Sequence, residues 1–161
     1  MIKKNFFINS SFILLIFLLD RISKTYVIYL DKKLLGSEIF SSKYLNISLI
    51  WNEGIAFGLL SFNNGNLYNL LTILIAVIIL VICFMIYKSS GIKKYFLIFI
   101  LGGALGNIYD RIFFNAVPDF IDFHINGFHW FVFNVADIFI SLGVIFMISF
   151  ELIDNNREKE L

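Results

Sequence analysis

The chain has 161 residues, of which 59% are hydrophobic, 18% aromatic and only 16% charged. An ordinary soluble domain carries roughly 25% charged residues. The mean hydropathy of +0.84 therefore leaves almost nothing for a soluble module, and a net charge of +1 excludes bulk attraction to nucleic acid. The single cysteine, Cys83, excludes an internal disulfide. It lies in an apolar run without a basic neighbour, so it reads as a lipid-facing or packing residue rather than a nucleophile. The composition describes one membrane-embedded domain over residues 1–161.

A helix needs about 20 apolar residues to cross the hydrocarbon core. The first such stretch covers residues 6–28, behind Lys3 and Lys4. Asp20-Arg21 stands where a secretory signal would carry a small-residue cleavage site, so the helix is read as retained. Asp20 and Lys24 are spaced i, i+4 in the order that favours an ion pair. Ser23 beside Lys24 invites a Ser/Lys nucleophile, but adjacent helical residues do not face each other.

An outer segment follows over residues 29–66. In Tyr44–Trp51, Leu45, Ile47 and Leu49 alternate with Asn46 and Ser48, the period of a half-buried strand. The next stretch, Asn52-Glu53-Gly54-Ile55-Ala56-Phe57-Gly58, has glycines that suit a tight turn or close approach of a ligand, with a plain loop as the alternative. The second span covers 67–87, and Lys88, Lys93 and Lys94 fill the link to the third at 95–112.

On span three, Gly103, Asn107, Asp110 and Arg111 fall at i, i+4, i+7 and i+8 and form one polar stripe. Gly102 and Gly106 offer a small-residue surface for close helix packing. Arg111 suits neutralising a carboxylate or holding a peptide carbonyl; Asp110 and Arg111 as an interfacial anchor is the other reading. Pro118, the only proline, biases Val117 away from helical geometry and is expected to mark the helix end before Asp119.

The second outer segment, 113–134, contains Asn126-Gly127, the preferred type I′ hairpin turn. Counting outward pairs Ile125 with Phe128 and His124 with His129, and an unbroken ladder would bring Asp119 opposite Asn134. The strands are expected to diverge before that point while still returning the chain towards Asp119. Span four covers 135–152, with Asn134 placed as N-cap and Asp137 in the first turn. Trp51 and Trp130 fit an interfacial aromatic belt.

Lys3, Lys4, Lys88, Lys93, Lys94, Arg157 and Lys159 all fall on one side of this four-span frame, which puts both termini in the cytoplasm. Lys32, Lys33 and Lys43 lie opposite. Asp20, Asp110, Asp119 and Asp137 then collect near the outer face, although chain order scatters them. An acid in hydrocarbon costs roughly 2.5–3.5 kcal/mol on insertion scales, so such a gathering points to function. Two close carboxylates cannot both ionise easily: the ionised one can deprotonate water and the protonated one can hydrogen-bond a scissile carbonyl. Capping explains Asn134 and Asp137 but not Asp119.

His124 and His129, with Asp119 and Asp122, offer metal ligands. Cross-strand histidines at an aromatic interface are read here as structural, and no metal or cofactor is expected. A small transporter or proton relay is the rival from another class. It would need polar groups through the bilayer depth, and spans two and four offer little beyond Asn69, Thr72, Ser141 and Ser149.

Five ordered motifs carry a resemblance: Asp20-Arg-Ile-Ser-Lys24, Asn52-Glu-Gly54-Ile-Ala56-Phe57, Gly102-Gly-Ala-Leu-Gly106-Asn107-Ile-Tyr-Asp110-Arg111, Val117-Pro-Asp119-Phe and Phe133-Asn134-Val-Ala136-Asp137. Together they resemble bacterial lipoprotein signal peptidase (signal peptidase II) almost end to end. The resemblance implies an all-α integral membrane fold of four helices with a small extracytoplasmic β element. It also implies an aspartic endopeptidase of the bacterial plasma (inner) membrane that cuts prolipoproteins before a diacylglyceryl-modified cysteine, with its site at the outer face.

By the same resemblance Asp119 and Asp137 form the catalytic dyad. Asn107, Arg111 and Asn134 line the site, while Asp20, Lys24, Asn52 and Gly54, with Asp110, support it or contact substrate. The implied partners are lipidated prolipoproteins, membrane lipids and the inhibitor globomycin, on a monomer that needs no cofactor. Ile55 and Gly58 replace the usual small Ala and Ser, Pro118 replaces a frequent Val, and Val132 stands near a common proline. These departures touch the shape of the groove and remove no catalytic group.

Overall fold

The computed structural model describes residues 2–54 and 65–159, with side chains over 6–54 and 67–154. Ile55 to Phe57 of the second motif and the Gly58 that follows lie outside the described residues, as do the side chains of Lys3, Lys4, Arg157 and Lys159.

Among the described residues, four helices are long and apolar enough to cross a membrane, over Phe6–Lys33, Leu67–Lys88, Gly91–Phe114 and Val135–Asp154. They belong to α1 (Ile2–Lys33), α2 (Gly65–Lys88), α3 (Gly91–Phe114) and α4 (Val135–Lys159). Their apolar side chains are largely turned outward, Leu14, Ile22, Leu80 and Ile145 among them, because hydrocarbon solvates leucine and isoleucine as well as a core does. What is buried is instead the interface around α3, which packs against α1, α2 and α4. Ile79 and Ile82 of α2 close with Leu97 and Leu101 of α3 into the apolar part of that interface.

Glycines let α3 approach both neighbours. Gly102 faces Ile16 of α1, whose Cβ would lie 2.8 Å from an added methyl group. Gly106 lies against the Asp20 carboxylate, and Gly103 against the backbone carbonyl of Ala136 on α4. A backbone atom cannot swing aside as a side-chain tip can. Gly103→Ala is therefore expected to push α3 and α4 apart and to destabilise the protein by about 1–3 kcal/mol. Thermal melting of the purified variant in detergent tests this; an unchanged midpoint would show that the two helices have slack there.

Between the spans lies an antiparallel sheet in the order β1-β2-β3-β4, with β1 Phe40–Ser41, β2 Leu45–Asn52, β3 Val117–Ile125 and β4 Phe128–Phe133. The expected strand after Tyr44 is β2. Its alternation does not survive as a clean two-faced pattern, because the register with β3 shifts between Ile47 and Ile50. Beyond that bulge Ile50 and Trp51 are exposed while Asn52 turns inward and is buried.

The hairpin forms as expected, with Ile125 opposite Phe128, His124 opposite His129, and positive φ at Asn126 and Gly127 (50° and 81°). A second register shift, between Asp122 and His124, displaces the ladder by one residue, and the pairing then ends with Ile121 opposite Phe133. Asp119 and Asn134 thus meet through side chains and not as a strand pair. The expectation for Pro118 is corrected. Helix α3 ends at Phe114, where Asn115 takes the left-handed conformation (φ 54°) that terminates helices. Pro118 instead lies in β3 opposite Trp51, on a stretch that β4 does not reach. Helix α1 also runs five residues past the expected end, to Lys33.

Candidate active site

Asp119 is brought to the site by β3, and Asp137 by the first turn of α4. Asn134 connects them. Its side-chain amide donates to Asp119 Oδ1 at 2.6 Å, and its Oδ1 accepts from the Asp137 backbone N–H at 3.1 Å. In return the Asn134 N–H donates to Asp137 Oδ2 at 3.2 Å, which closes a reciprocal capping box at the start of α4. The capping reading and the site reading are thus both realised by the same atoms.

Each carboxylate has a further amide donor. Asn52 Nδ2, from the end of β2, reaches Asp119 Oδ2 at 2.8 Å, and Asn107 Nδ2 of α3 reaches Asp137 Oδ1 at 2.8 Å. Asn52 Oδ1 accepts from Gly54 N, and the Gly54 carbonyl accepts from Arg111 Nη2 at 3.1 Å. Arg111 thus holds a peptide carbonyl of the chain itself; the interfacial-anchor reading fails because Asp110 and Arg111 are both buried.

Asp20, Lys24 and Asp110 form a second charged cluster beside this one, and Arg21, which the sequence reading did not single out, completes it. Lys24 Nζ lies 3.0 Å from Asp20 and 2.7 Å from Asp110. Arg21 Nη2 lies 2.7 Å from both Asp20 Oδ2 and Asp110 Oδ2. The Arg21 guanidinium also packs 4.8 Å from the ring of Tyr109, which shields the cluster. Arg21 stood next to Asp20 in the first motif, and an unpaired arginine inside an apolar span is itself a signal of a buried partner. Two contacts relay this cluster to the dyad: Lys24 Nζ donates to Asn107 Oδ1 at 2.8 Å, and Asp20 Oδ1 accepts from the Ala136 N–H at 3.1 Å.

Both acids line a cavity of about 350 Å³ bounded by Asn52, Asn107, Arg111, Asn134 and isoleucines of α2. A larger apolar cavity of about 580 Å³ lies between the sheet and α4, walled by Trp130, Phe131 and Phe133, and it also reaches Asp137 and Ser141. Burial raises the Asp119 carboxyl to about 6, the nearby charge of Asp137 adds to the shift, and the amides of Asn52 and Asn134 oppose it. Asp122 and His124, on the same strand, do not join the dyad; Asp122 is hydrogen-bonded to His129 instead.

Four candidate spans with a buried polar cluster beneath an antiparallel sheet describe a multi-pass membrane protein. Two solved structures of bacterial membrane enzymes, both determined by the in meso method, share the fold. One has a TM-score of 0.80 at 26% identity and covers 95% of this chain and 92% of its own. The other has a TM-score of 0.71 at 27% identity, with 89% and 91% covered. Residues 12–153 match the model of the family described as signal peptidase (SPase) II. A lipoprotein signal peptidase of Pelagibacter ubique is 52% identical over 96% of this chain and 93% of its own length. One from Aquifex aeolicus is 38% identical over 91% and 87%. The chain belongs to the signal peptidase II family.

Proposed function

We propose that this chain is an aspartic endopeptidase that removes the signal peptide from diacylglyceryl-modified prolipoproteins, cutting before the lipidated cysteine. The observation that carries the reading is the pair Asp119 and Asp137, each held by amide donors, on the wall of one cavity. The names of the relatives support the substrate class. The acids gather at one end of the bundle, and no polar path through the bilayer depth is found among the described residues, so a transporter is disfavoured.

Asp119 carries the shared proton and Asp137 the negative charge. Asp137 takes a proton from water as the water oxygen bonds to the scissile carbonyl carbon. The proton of Asp119 passes to the carbonyl oxygen, which gives a neutral gem-diol. Asp137 then gives its proton to the peptide nitrogen while a gem-diol hydroxyl returns one to Asp119, so the C–N bond breaks, the carbonyl re-forms and the amine leaves on the lipidated cysteine. Arg111, Asn107, Asn134 and Asn52 hold the dyad and its flanking backbone in place.

The sheet side is assigned to the outer face, with both termini cytoplasmic; Lys88, Lys93 and Lys94 at the opposite end support this. The apolar cavity beside Asp137 suits the lipid-modified part of the substrate. Globomycin is expected to occupy the same space, and the chain is expected to act as a monomer. Incubation of the purified protein with a diacylglyceryl-modified prolipoprotein, read by mass spectrometry, tests the reading: cleavage at any other bond, or equal cleavage of the unlipidated precursor, would refute it.

The pH dependence follows from the sign of the Asp119 shift. Its folded value is raised from 3.8 to about 6, so the proton is held below about 6 and lost as pH rises through it. Stability contributed by that proton is complete below the unfolded value and declines over the same window. The singly protonated dyad is the active form, so kcat/KM is expected to fall about tenfold per pH unit above the upper apparent value of the pair, near 6. A rate that climbs steadily through pH 6 to 8 would sink the singly protonated dyad as the active form.

A further inference from the structure

The histidine-bearing hairpin holds a cluster that the peptidase reading leaves unused. We propose that Asp122, His124 and His129 form a binding site for a divalent transition-metal ion, zinc by its donor set, separate from the dyad.

The three residues share one face of the β3–β4 hairpin. His124 and His129 are directly opposite across the strands, with their rings stacked at 4.9 Å and 22°. Asp122 lies two residues before His124, so the pleat puts both on the same side. Nδ1 of His129 lies 2.8 Å from Asp122 Oδ2. One ligand atom from each residue falls within 4.8 Å of the other two. Ligands 2.0–2.1 Å from a tetrahedral ion stand ~3.4 Å apart, a spacing that a small rotation of either imidazole would reach.

The bland account is a histidine–aspartate hydrogen bond on a surface hairpin, and it covers only part of what is observed. Asp122 is 8% exposed, and its Oδ1 has no hydrogen-bond partner. His124 Nδ1 is likewise buried without a partner. Buried polar atoms are almost always satisfied. Two unsatisfied acceptor-capable atoms within one His₂Asp group are accounted for together by a single cation. Imidazole nitrogen with one carboxylate oxygen suits zinc and its first-row neighbours better than calcium or magnesium, which favour all-oxygen sites. Three protein ligands leave a fourth position for water.

Asp119, grouped with these residues on sequence grounds, is not a ligand, because Asn134 and Asn52 occupy its two oxygens. The ligands come from both strands, so the ion ties β3 to β4. Trp130, Phe131 and Phe133 of that hairpin wall the apolar cavity that reaches Asp137, and the site therefore stiffens one wall of the substrate space.

The test uses the full chain, free of any histidine tag, stripped of metal in detergent and titrated with Co²⁺ and then Zn²⁺. One Co²⁺ per chain with the visible absorption of a tetrahedral site, displaced by Zn²⁺, is expected. X-ray absorption of the zinc-loaded wild type should show two imidazoles. His124→Gln and His129→Gln should each weaken zinc binding by at least about tenfold, while Asp119→Asn binds as the wild type does. Absence of stoichiometric binding overturns the proposal. So does a zinc spectrum with fewer than two imidazoles, or binding lost in Asp119→Asn and kept in the histidine variants.

Discussion

Asp119→Asn and Asp137→Asn are each expected to leave the protein folded and to lower the cleavage rate by about 10³-fold, within the range for loss of a positioned acid or base. The structure makes the two experiments separable from stability. In Asp137→Asn the new side chain still offers an oxygen to the Asn134 N–H, so the capping box that starts α4 persists, while its amide comes to face the Asn107 amide at a cost of about 1–3 kcal/mol. Loss of activity there reports the acid and not the cap.

In Asp119→Asn one of the two amide contacts, from Asn52 or Asn134, becomes a donor facing a donor. That costs about 1–3 kcal/mol, enough to see in a melting curve and too little to unfold a typical domain. The double variant should be little worse than either single one, because the two acids act as a unit. The readout is single-turnover cleavage of a lipidated prolipoprotein beside a helical circular-dichroism spectrum. Near-normal turnover by either variant would reduce that residue to a structural cap or anchor.

The second large effect is expected at Lys24, which the sequence treats as an ordinary ion-pair partner. Its side chain is 1% exposed and contacts Asp20, Asp110 and Asn107 at once. Lys24→Met leaves two fully buried carboxylates with Arg21 as their one remaining cation among the described residues. Breaking a buried ion network in this way costs about 3–5 kcal/mol. The variant should melt well below the wild type.

Combining Lys24→Met with Asp110→Asn restores charge balance through the Arg21–Asp20 pair. The double variant is therefore expected to be more stable than the sum of the singles predicts, by about 0.5–3 kcal/mol. A Lys24→Met protein as stable as wild type would mean that the cluster adds nothing to folding. Because Lys24 also holds Asn107, which in turn donates to Asp137, the surviving folded fraction should cleave slowly as well.

Local physics accounts for what the sequence discloses. Spans declare themselves by length and apolar composition, since hydrocarbon tolerates neither charges nor open backbone. All four helices fall near their expected positions. The Asn126-Gly127 hairpin is legible because so few residues accept positive φ at both turn positions. The close approach of α3 to α1 is legible in Gly102 and Gly106. The end of α3 is missed, because Asn115 competes with Pro118 as a stop signal and nothing local ranks them. Strand β1 is missed because two residues carry no periodicity.

By itself the sequence determined that this is a four-span membrane protein whose acids gather at one end, with Asp119 and Asp137 the pair to suspect. The tertiary structure alone decided how that pair is held. Pairing of β2 with β3 joins the two outer segments, and the bulge between Ile47 and Ile50 turns Asn52 inward onto Asp119. Packing of α1 on α3 puts Arg21 into the Asp20–Asp110 cluster. Both results depend on contacts between residues more than sixty positions apart. Such contacts leave no local pattern in the chain, since they are set by which surfaces the folded helices and strands bury against one another.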